Sequence, residues 1–337
     1  MNDASFESFE NTAGTGAAAI TPAITPAITP AITPAITPTT TPGDTPGDTA
    51  LAGTTSGTSP AARRWFITGA NSGFGLAFVH AALAAGDEVV AAVRRPEVFQ
   101  IPPLRELAAS SAGHLTVVEL DVRDAAGRAR AVQAAGRIDI LVNNAGYGIL
   151  GAFEEVRDAE LRDAFEVMFF GPVALTQLVL PQMRDRRAGT VVQISSMGGL
   201  LSFPGVGSYS AAKGALELAS EALAAEVAPL GIKVLIVEPG AFRTGFAAPS
   251  ALQPAASRIA DYDATSGATR EALASADGSQ EGDPAKAAAA VLEVLGRPEP
   301  PLRLALGNDS IDAIRAKLTA VGADLDATEK LGRSMAV

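Results

Sequence analysis

The chain has no cysteine, and only two histidines, one tryptophan and three tyrosines in 337 residues. Without cysteine there is no disulfide framework and no thiolate metal site, and His80 and His114 alone cannot build a histidine-rich one, so no metal is expected. His80 falls on a helical stretch and His114 precedes a strand, and both read as structural or solvated residues. Basic residues are scarce as well: 26 Lys and Arg against 37 Asp and Glu give a net charge of −11. A chain with no basic footprint is a poor binder of nucleic acid or of an anionic membrane surface. No apolar run approaches the ~18–20 residues that a membrane span needs. The first residues lack the basic start and apolar stretch of a secretory signal, so a cytoplasmic location is expected.

What is present divides in two. Residues 1–62 hold five acids and no Lys or Arg, and within them Ala19-Ile20-Thr21-Pro22 repeats five times through Pro38, followed by two copies of Thr-Pro-Gly-Asp. Proline at every fourth position removes backbone donors and forbids a helix, and so short a period buries nothing. The segment is expected to be a low-complexity, extended or disordered arm. The remaining residues, 63–337, carry a charge of −6. There, Arg64 to Ile67, Glu88 to Val93, Leu115 to Leu120, Ile138 to Val142, Thr190 to Ile194, Lys233 to Val237 and Leu302 to Ala305 are short, continuous apolar runs separated by helical stretches. Such runs suit strands covered on both faces, which predicts an α/β fold: a doubly wound parallel sheet of about seven strands in a single domain. The segment Gly127 to Gly136 is short for a crossover helix.

Tyr209 is followed four residues later by Lys213, and Ser196 stands at the end of the apolar run Thr190 to Ile194. Residues four apart share a helix face, so an ammonium one turn from a phenol in a partly dry cleft is expected to pull the phenol pKa toward neutrality and make it a usable acid or base. The Ser196 hydroxyl would polarise the same substrate oxygen. Upstream, the first strand runs into Thr68-Gly69-Ala70-Asn71-Ser72-Gly73-Phe74-Gly75 and then directly into a helical pattern. Glycines at 69, 73 and 75 let the backbone turn and approach a pyrophosphate whose charge the helix N-terminus favours.

The motif T-G-x-x-x-G-x-G, with Asn143-Asn144-Ala145-Gly146, Ser196, Tyr209, Lys213 and Pro239-Gly240 in this order, resembles the short-chain dehydrogenase/reductase family over roughly Arg64 to Leu306. The resemblance implies a Rossmann-like fold. It also implies a cofactor site that takes in Gly69, Asn71, Ser72, Gly73, Phe74 and Gly75, with Asn143, Ala145 and Gly146 closing the cleft. Asp121 and Val122 would lie at the adenine, and Pro239, Gly240 and Thr244 at the nicotinamide end. Ser196, Tyr209 and Lys213 would be catalytic, with Tyr209 and Lys213 also touching cofactor. Arg94 and Arg95 close the second strand, with Arg94 lying 19 residues after Gly75, whereas Asp87 and Glu88 open it. Acids at the wrong end for a ribose and arginines at the right end for a 2′-phosphate favour NADP over NAD.

One position departs from the pattern. The family carries an Asn on the helix before the serine-bearing strand, and Met168 stands there in Phe165-Glu166-Val167-Met168-Phe169-Phe170-Gly171. A thioether is a weak acceptor and donates nothing. Two readings follow: a working NADP-dependent enzyme that interconverts a carbonyl and a secondary alcohol, or a low-turnover NADP(H)-binding sensor or scaffold. The resemblance also makes Ala241 to Asp283 a substrate lid, with Phe242, Phe246, Arg258, Tyr262 and Arg270 as contacts. Further wall residues would be Tyr147, Met197, Gly198, Gly199 and Phe203. The helix Ser208 to Val227, apolar on more than one face, is either deeply buried or packed against a second subunit, and the resemblance to a family of dimers and tetramers implies a homodimer or homotetramer.

Overall fold

The computed structural model describes residues 62–336 apart from Ile101, Ala112, Ala247, Pro249 and Ser250. The expected arm at 1–62 therefore lies outside the described residues except for its last. Nine strands and nine helices are described: β1 (Arg64–Thr68), α1 (Gly73–Ala84), β2 (Glu88–Val93), α2 (Leu104–Ser110), β3 (Leu115–Glu119), α3 (Ala125–Ala135), β4 (Ile140–Asn143), β5 (Gly148–Leu150), α4 (Asp158–Phe165), α5 (Gly171–Arg186), β6 (Gly189–Ile194), α6 (Gly207–Val227), β7 (Ile232–Pro239), β8 (Leu252–Pro254), α7 (Ala268–Ser275), α8 (Pro284–Leu295), β9 (Arg303–Leu306) and α9 (Asn308–Arg333). Seven strands form one parallel sheet in the order β3-β2-β1-β4-β6-β7-β9. All seven apolar runs became strands of this sheet, within two residues of their expected ends.

Alternation along each strand explains why both faces are apolar. Trp65 and Ile67 join the layer that contains Phe78, Val79 and Val291, while Phe66 between them joins Leu141, Leu175, Val179 and Met183 on the other side. Helices α1 and α8 cover the first face, and α3 and α5 the second. The short α3 spans 11 residues, capped by the Asp124 carboxylate on the Ala126 N–H, and still reaches β4. Asp87, at the start of β2, is buried and accepts from the Trp65 indole N–H at 2.8 Å and from Arg63, so it anchors β1 rather than a ligand. The helical segment Asp158–Arg186 is long and apolar enough to cross a membrane, which single apolar runs did not reveal. Here Met168, Leu175, Val179 and Met183 of that segment are buried in the core.

The sheet order reverses at β1, whose neighbours are β2 and β4. The chain leaves these strands in opposite directions, which opens a crevice at their C-terminal ends. A second, two-stranded sheet lies beside it: β5 pairs with β8 in parallel, Gly148 opposite Leu252 and Leu150 opposite Pro254. The expected lid thus contains β8 and α7, elements whose few residues carry no readable period, and it is tied to the body through β5.

Candidate active site

The loop after β1 is held by side chains from the end of β4. Thr68 Oγ1 accepts from the Asn144 and Ala145 N–H groups at 2.9 Å each, and Asn144 Nδ2 donates to the Thr68 carbonyl at 2.8 Å. Gly69 and Gly73 have φ of 63° and 53°, where a Cβ would be strained. Gly75 serves a different end: a Cβ there would sit 2.2 Å from the Gly69 carbonyl oxygen, so glycine allows α1 to begin directly against the loop. Neither Gly75 nor Asn143 lines the cavity. The Asn143 amide turns into the sheet and donates to Gln193 Oε1 at 3.0 Å and Thr176 Oγ1 at 3.1 Å, so it braces β4, β6 and α5.

The other expected residues converge. Gly69, Asn71, Ser72, Gly73, Phe74, Arg94, Arg95, Asp121, Val122, Ala145, Gly146, Ser196, Tyr209, Lys213, Pro239, Gly240 and Thr244 all line one cavity of about 840 Å³. At one end Arg94 and Arg95 follow β2 as exposed cations. Asp121 is held there by Arg123 through bonds of 2.7 and 3.0 Å, and these bonds keep its carboxyl below the ordinary value. Arg123 also donates to Asp163, which accepts from the Tyr147 hydroxyl at 2.5 Å. Burial and this bond push the Tyr147 phenol up. Arg123 and Asp163, both in the cavity wall, escaped the sequence reading; the D-x-R spacing of Asp121 and Arg123 is the signal that was there.

At the other end Ser196 follows β6 and Tyr209 sits in the first turn of α6. A side chain on Gly198 would begin 3.3 Å from Tyr209 Cε1 and 3.4 Å from Ser196 Oγ, so glycine keeps the space between phenol and hydroxyl open. Ser196 Oγ is oriented by the Gly198 N–H at 3.1 Å. Lys213, one turn further and 5% exposed, donates to the Ile194 carbonyl at 2.7 Å and lies 5.8 Å from the Tyr209 ring centroid. The expected pull of Lys213 on the phenol is absent. Burial pushes Tyr209 up to about 12, opposed by the Ser196 hydroxyl, and burial takes Lys213 down to about 8, opposed by Glu217. The reason is geometric: the ammonium is committed to Ile194, and desolvation dominates both groups.

Met168 is fully buried in a π turn, Glu166–Phe170, between α4 and α5, packed with Ile149, Ala164 and Ala212. A Cβ on Gly146 would lie 3.7 Å from both its sulfur and Lys213 Nζ, so the thioether and the ammonium face the same space beside Gly146. Of the lid residues, Phe242 and Phe246 line the cavity; Phe246 lies 5.6 Å from the Tyr209 ring and Phe242 packs on Phe74. Arg258, Tyr262 and Arg270 do not line it: they bond Asp263, Glu154 and Glu155 within the lid and its anchor. Tyr147, Met197, Gly198 and Phe203 are in the wall, whereas Gly199 backs onto Ser195 and Glu217.

The model of the short chain dehydrogenase family matches residues 63–254. An oxidoreductase of Botryotinia fuckeliana is 40% identical over 252 residues, which cover 74% of this chain and 90% of that protein. A 3-ketodihydrosphingosine reductase of Bacteroides thetaiotaomicron is 35% identical over 72% of this chain and 86% of its own. Among solved structures, a short-chain dehydrogenase from Streptomyces avermitilis is 48% identical, with a TM-score of 0.76 over 82% of this chain and all of that one. A Burkholderia phymatum short-chain dehydrogenase/reductase in complex with NAD shares the fold at 24% identity and a TM-score of 0.69, over 78% of this chain and 95% of that one.

Proposed function

Because this chain belongs to the short-chain dehydrogenase family, we propose that it is an NADP-dependent oxidoreductase that interconverts a carbonyl and a secondary alcohol by hydride transfer. The observation that carries the reading is the single cavity that joins the glycine loop and Arg94 at one end to Ser196, Tyr209 and Lys213 at the other. The cradle fits a dinucleotide: left-handed glycines at 69 and 73, two free-standing arginines where a 2′-phosphate would lie, and Lys213 and Thr244 toward the nicotinamide end. A nicotinamide, when bound, supplies the hydride. Tyr209 keeps its proton through the neutral range, so in reduction it gives that proton to the nascent alkoxide while Ser196 holds the substrate oxygen. Around them Ile149, Phe203, Val206, Phe246, Leu252 and Leu273 form an uncharged wall, which supports an apolar carbonyl substrate over a keto acid or sugar. Exposed Phe170, Leu178 and Leu218, on α5, α6 and the turn before α5, support assembly as a homodimer or homotetramer. A cytoplasmic location is part of the same reading.

The test is a fluorescence titration with NADPH and NADH, followed by a panel of apolar ketones and aldehydes. NADPH binding with oxidation by any member supports the enzyme. In Arg94→Ala, loss of one charged hydrogen-bond partner weakens NADPH binding by about 10- to 100-fold and leaves NADH nearly unchanged. Equal losses for both cofactors would remove Arg94 as the discriminating residue.

Met168 favours a second reading, a low-turnover NADP(H)-binding sensor or scaffold, since a thioether, which donates nothing, faces the same space as Lys213 where the family carries an Asn. Tight NADPH binding with no turnover across the panel would select it. On the enzyme reading, Met168→Asn raises kcat several-fold, at a stability cost of about 1–3 kcal/mol for the buried amide. An unchanged kcat would mean that the side chain at 168 does not limit the reaction.

A further inference from the structure

The Lys213 ammonium has three donors and, among the described residues, bonds one carbonyl. One turn along α6 stands Glu217, 1% exposed. Its Oε2 lies 3.3 Å from Arg303 Nε, and its Oε1 has no hydrogen-bond partner. Ser195 Oγ, also unpartnered, points to the same place: a Cβ on Gly199 would lie 2.6 Å from it and 3.2 Å from Glu217 Oε1. Arg303 then links outward. Its Nε is 3.2 Å from Glu238 Oε1 on β7, in charge contact without a hydrogen bond, and its NH2 donates at 2.8 Å to Glu221, whose side chain is 54% exposed.

Glu217 is therefore one helical turn from Lys213 and ion-paired with Arg303, which in turn pairs with a carboxylate at the surface. Three carboxylates share two cations, so the cluster carries an excess of negative charge. Burial and the neighbouring Glu217 raise Glu238 to about 7, and burial raises Glu217 above its ordinary range against the opposing pull of Arg303 and Lys213.

We infer that Glu217 is a positioning residue for the reaction: its buried carboxylate, one helical turn from Lys213, keeps the Lys213 ammonium charged. The inference rests on the functional reading above for its role in turnover, and on the structure alone for the coupling.

The test begins with competitive acetylation of Lys213 in the cofactor-free protein as a function of pH, read by mass spectrometry. In Glu217→Gln the apparent Lys213 pKa falls by roughly one unit, because an opposing charge nearby has been removed. It stays put in Glu217→Asp and in Glu226→Gln, a substitution on the exposed face of the same helix. With NADPH and any active ketone, the alkaline limb of kcat/KM moves down by the same amount in Glu217→Gln. The turnover lost in Glu217→Gln is several-fold. An unchanged Lys213 pKa overturns the inference, and so does a uniform loss of kcat with no shift of the limb. If no carbonyl is reduced by the parent protein, the functional reading fails while the acetylation result still decides the coupling. Should Glu217→Gln fail to fold, Arg303→Lys gives the same decision: its weaker hold on Glu217 must move the Lys213 pKa upward, and no movement overturns the inference.

Discussion

Tyr209→Phe loses about three orders of magnitude in turnover while NADPH binds as before, the magnitude expected when a positioned general acid is removed. The phenol hydroxyl is the one atom that changes, and the ring packing against Phe246 and beside Gly198 is kept. On the proposed reading, cofactor affinity is set elsewhere, by the glycine loop, Arg94 and Lys213. Stopped-flow hydride transfer and NADPH fluorescence measured on the same preparation separate the two effects. Activity within tenfold of the parent would mean that another group, or water, protonates the alkoxide. The pH dependence follows from the two shifted groups. Tyr209, pushed up to about 12, stays protonated through pH 10, so it imposes no limb in the ordinary range. Lys213, near 8, loses its charge as pH rises through that value, so reduction falls on the alkaline side of pH 8.

Glu155→Ala detaches the lid. The residue is 1% exposed, and its carboxylate accepts from the Ala152 N–H at 2.7 Å, the Ile259 N–H at 2.8 Å and Arg270 of α7 at 3.2 Å, while its own carbonyl accepts from Ser257 Oγ at 2.6 Å. Removing one side of a buried ion pair strands the other, which costs about 3–5 kcal/mol. Melting temperature should drop by about 6–12 °C. KM for an apolar ketone should rise about tenfold or more, since Leu252 and Leu273 leave the wall while binding of ~1.4 kcal/mol per tenfold is lost with them. Glu155→Gln, which keeps the shape and one acceptor, should fall between. The Ile259 bond, first among the causes, holds the Glu155 carboxyl below its ordinary 4.5, against the cost of burial. A depressed acid contributes stability that is complete above the unfolded value and is lost as pH falls through the folded one, so parent and variant converge in stability below about pH 4.5. A variant that melts with the parent and keeps its KM would show that the lid is held by β5 and β8 alone.

Legibility followed the range of the interactions. The seven sheet strands announced themselves because a strand covered on both faces must be apolar throughout, a property of a few consecutive residues. The grouping of Tyr209, Ser196 and Lys213 followed from the motifs in register with a known family, whereas the strand order and the crevice at β1 and β4 came with the structure. Glu155 gave no such sign: it is an acid in an acidic stretch, and its partners lie 104 and 115 residues away. The same holds for Arg123 with Asp163, for Asp87 under Trp65, and for β5 and β8, whose three residues each are too short for any period.

The sequence by itself determined which residues are proposed to carry the chemistry: a glycine loop between strand and helix, a phenol and an ammonium one turn apart, and two arginines at the end of β2. It did so because backbone turns and helix periodicity are local. Only the tertiary structure decided how those groups behave. Burial, not the neighbouring ammonium, governs Tyr209, because desolvation is summed over everything packed around a group. Arg303, 90 residues beyond Lys213, completes the charged cluster behind it, because a folded chain sets charge against charge without regard to their separation in sequence.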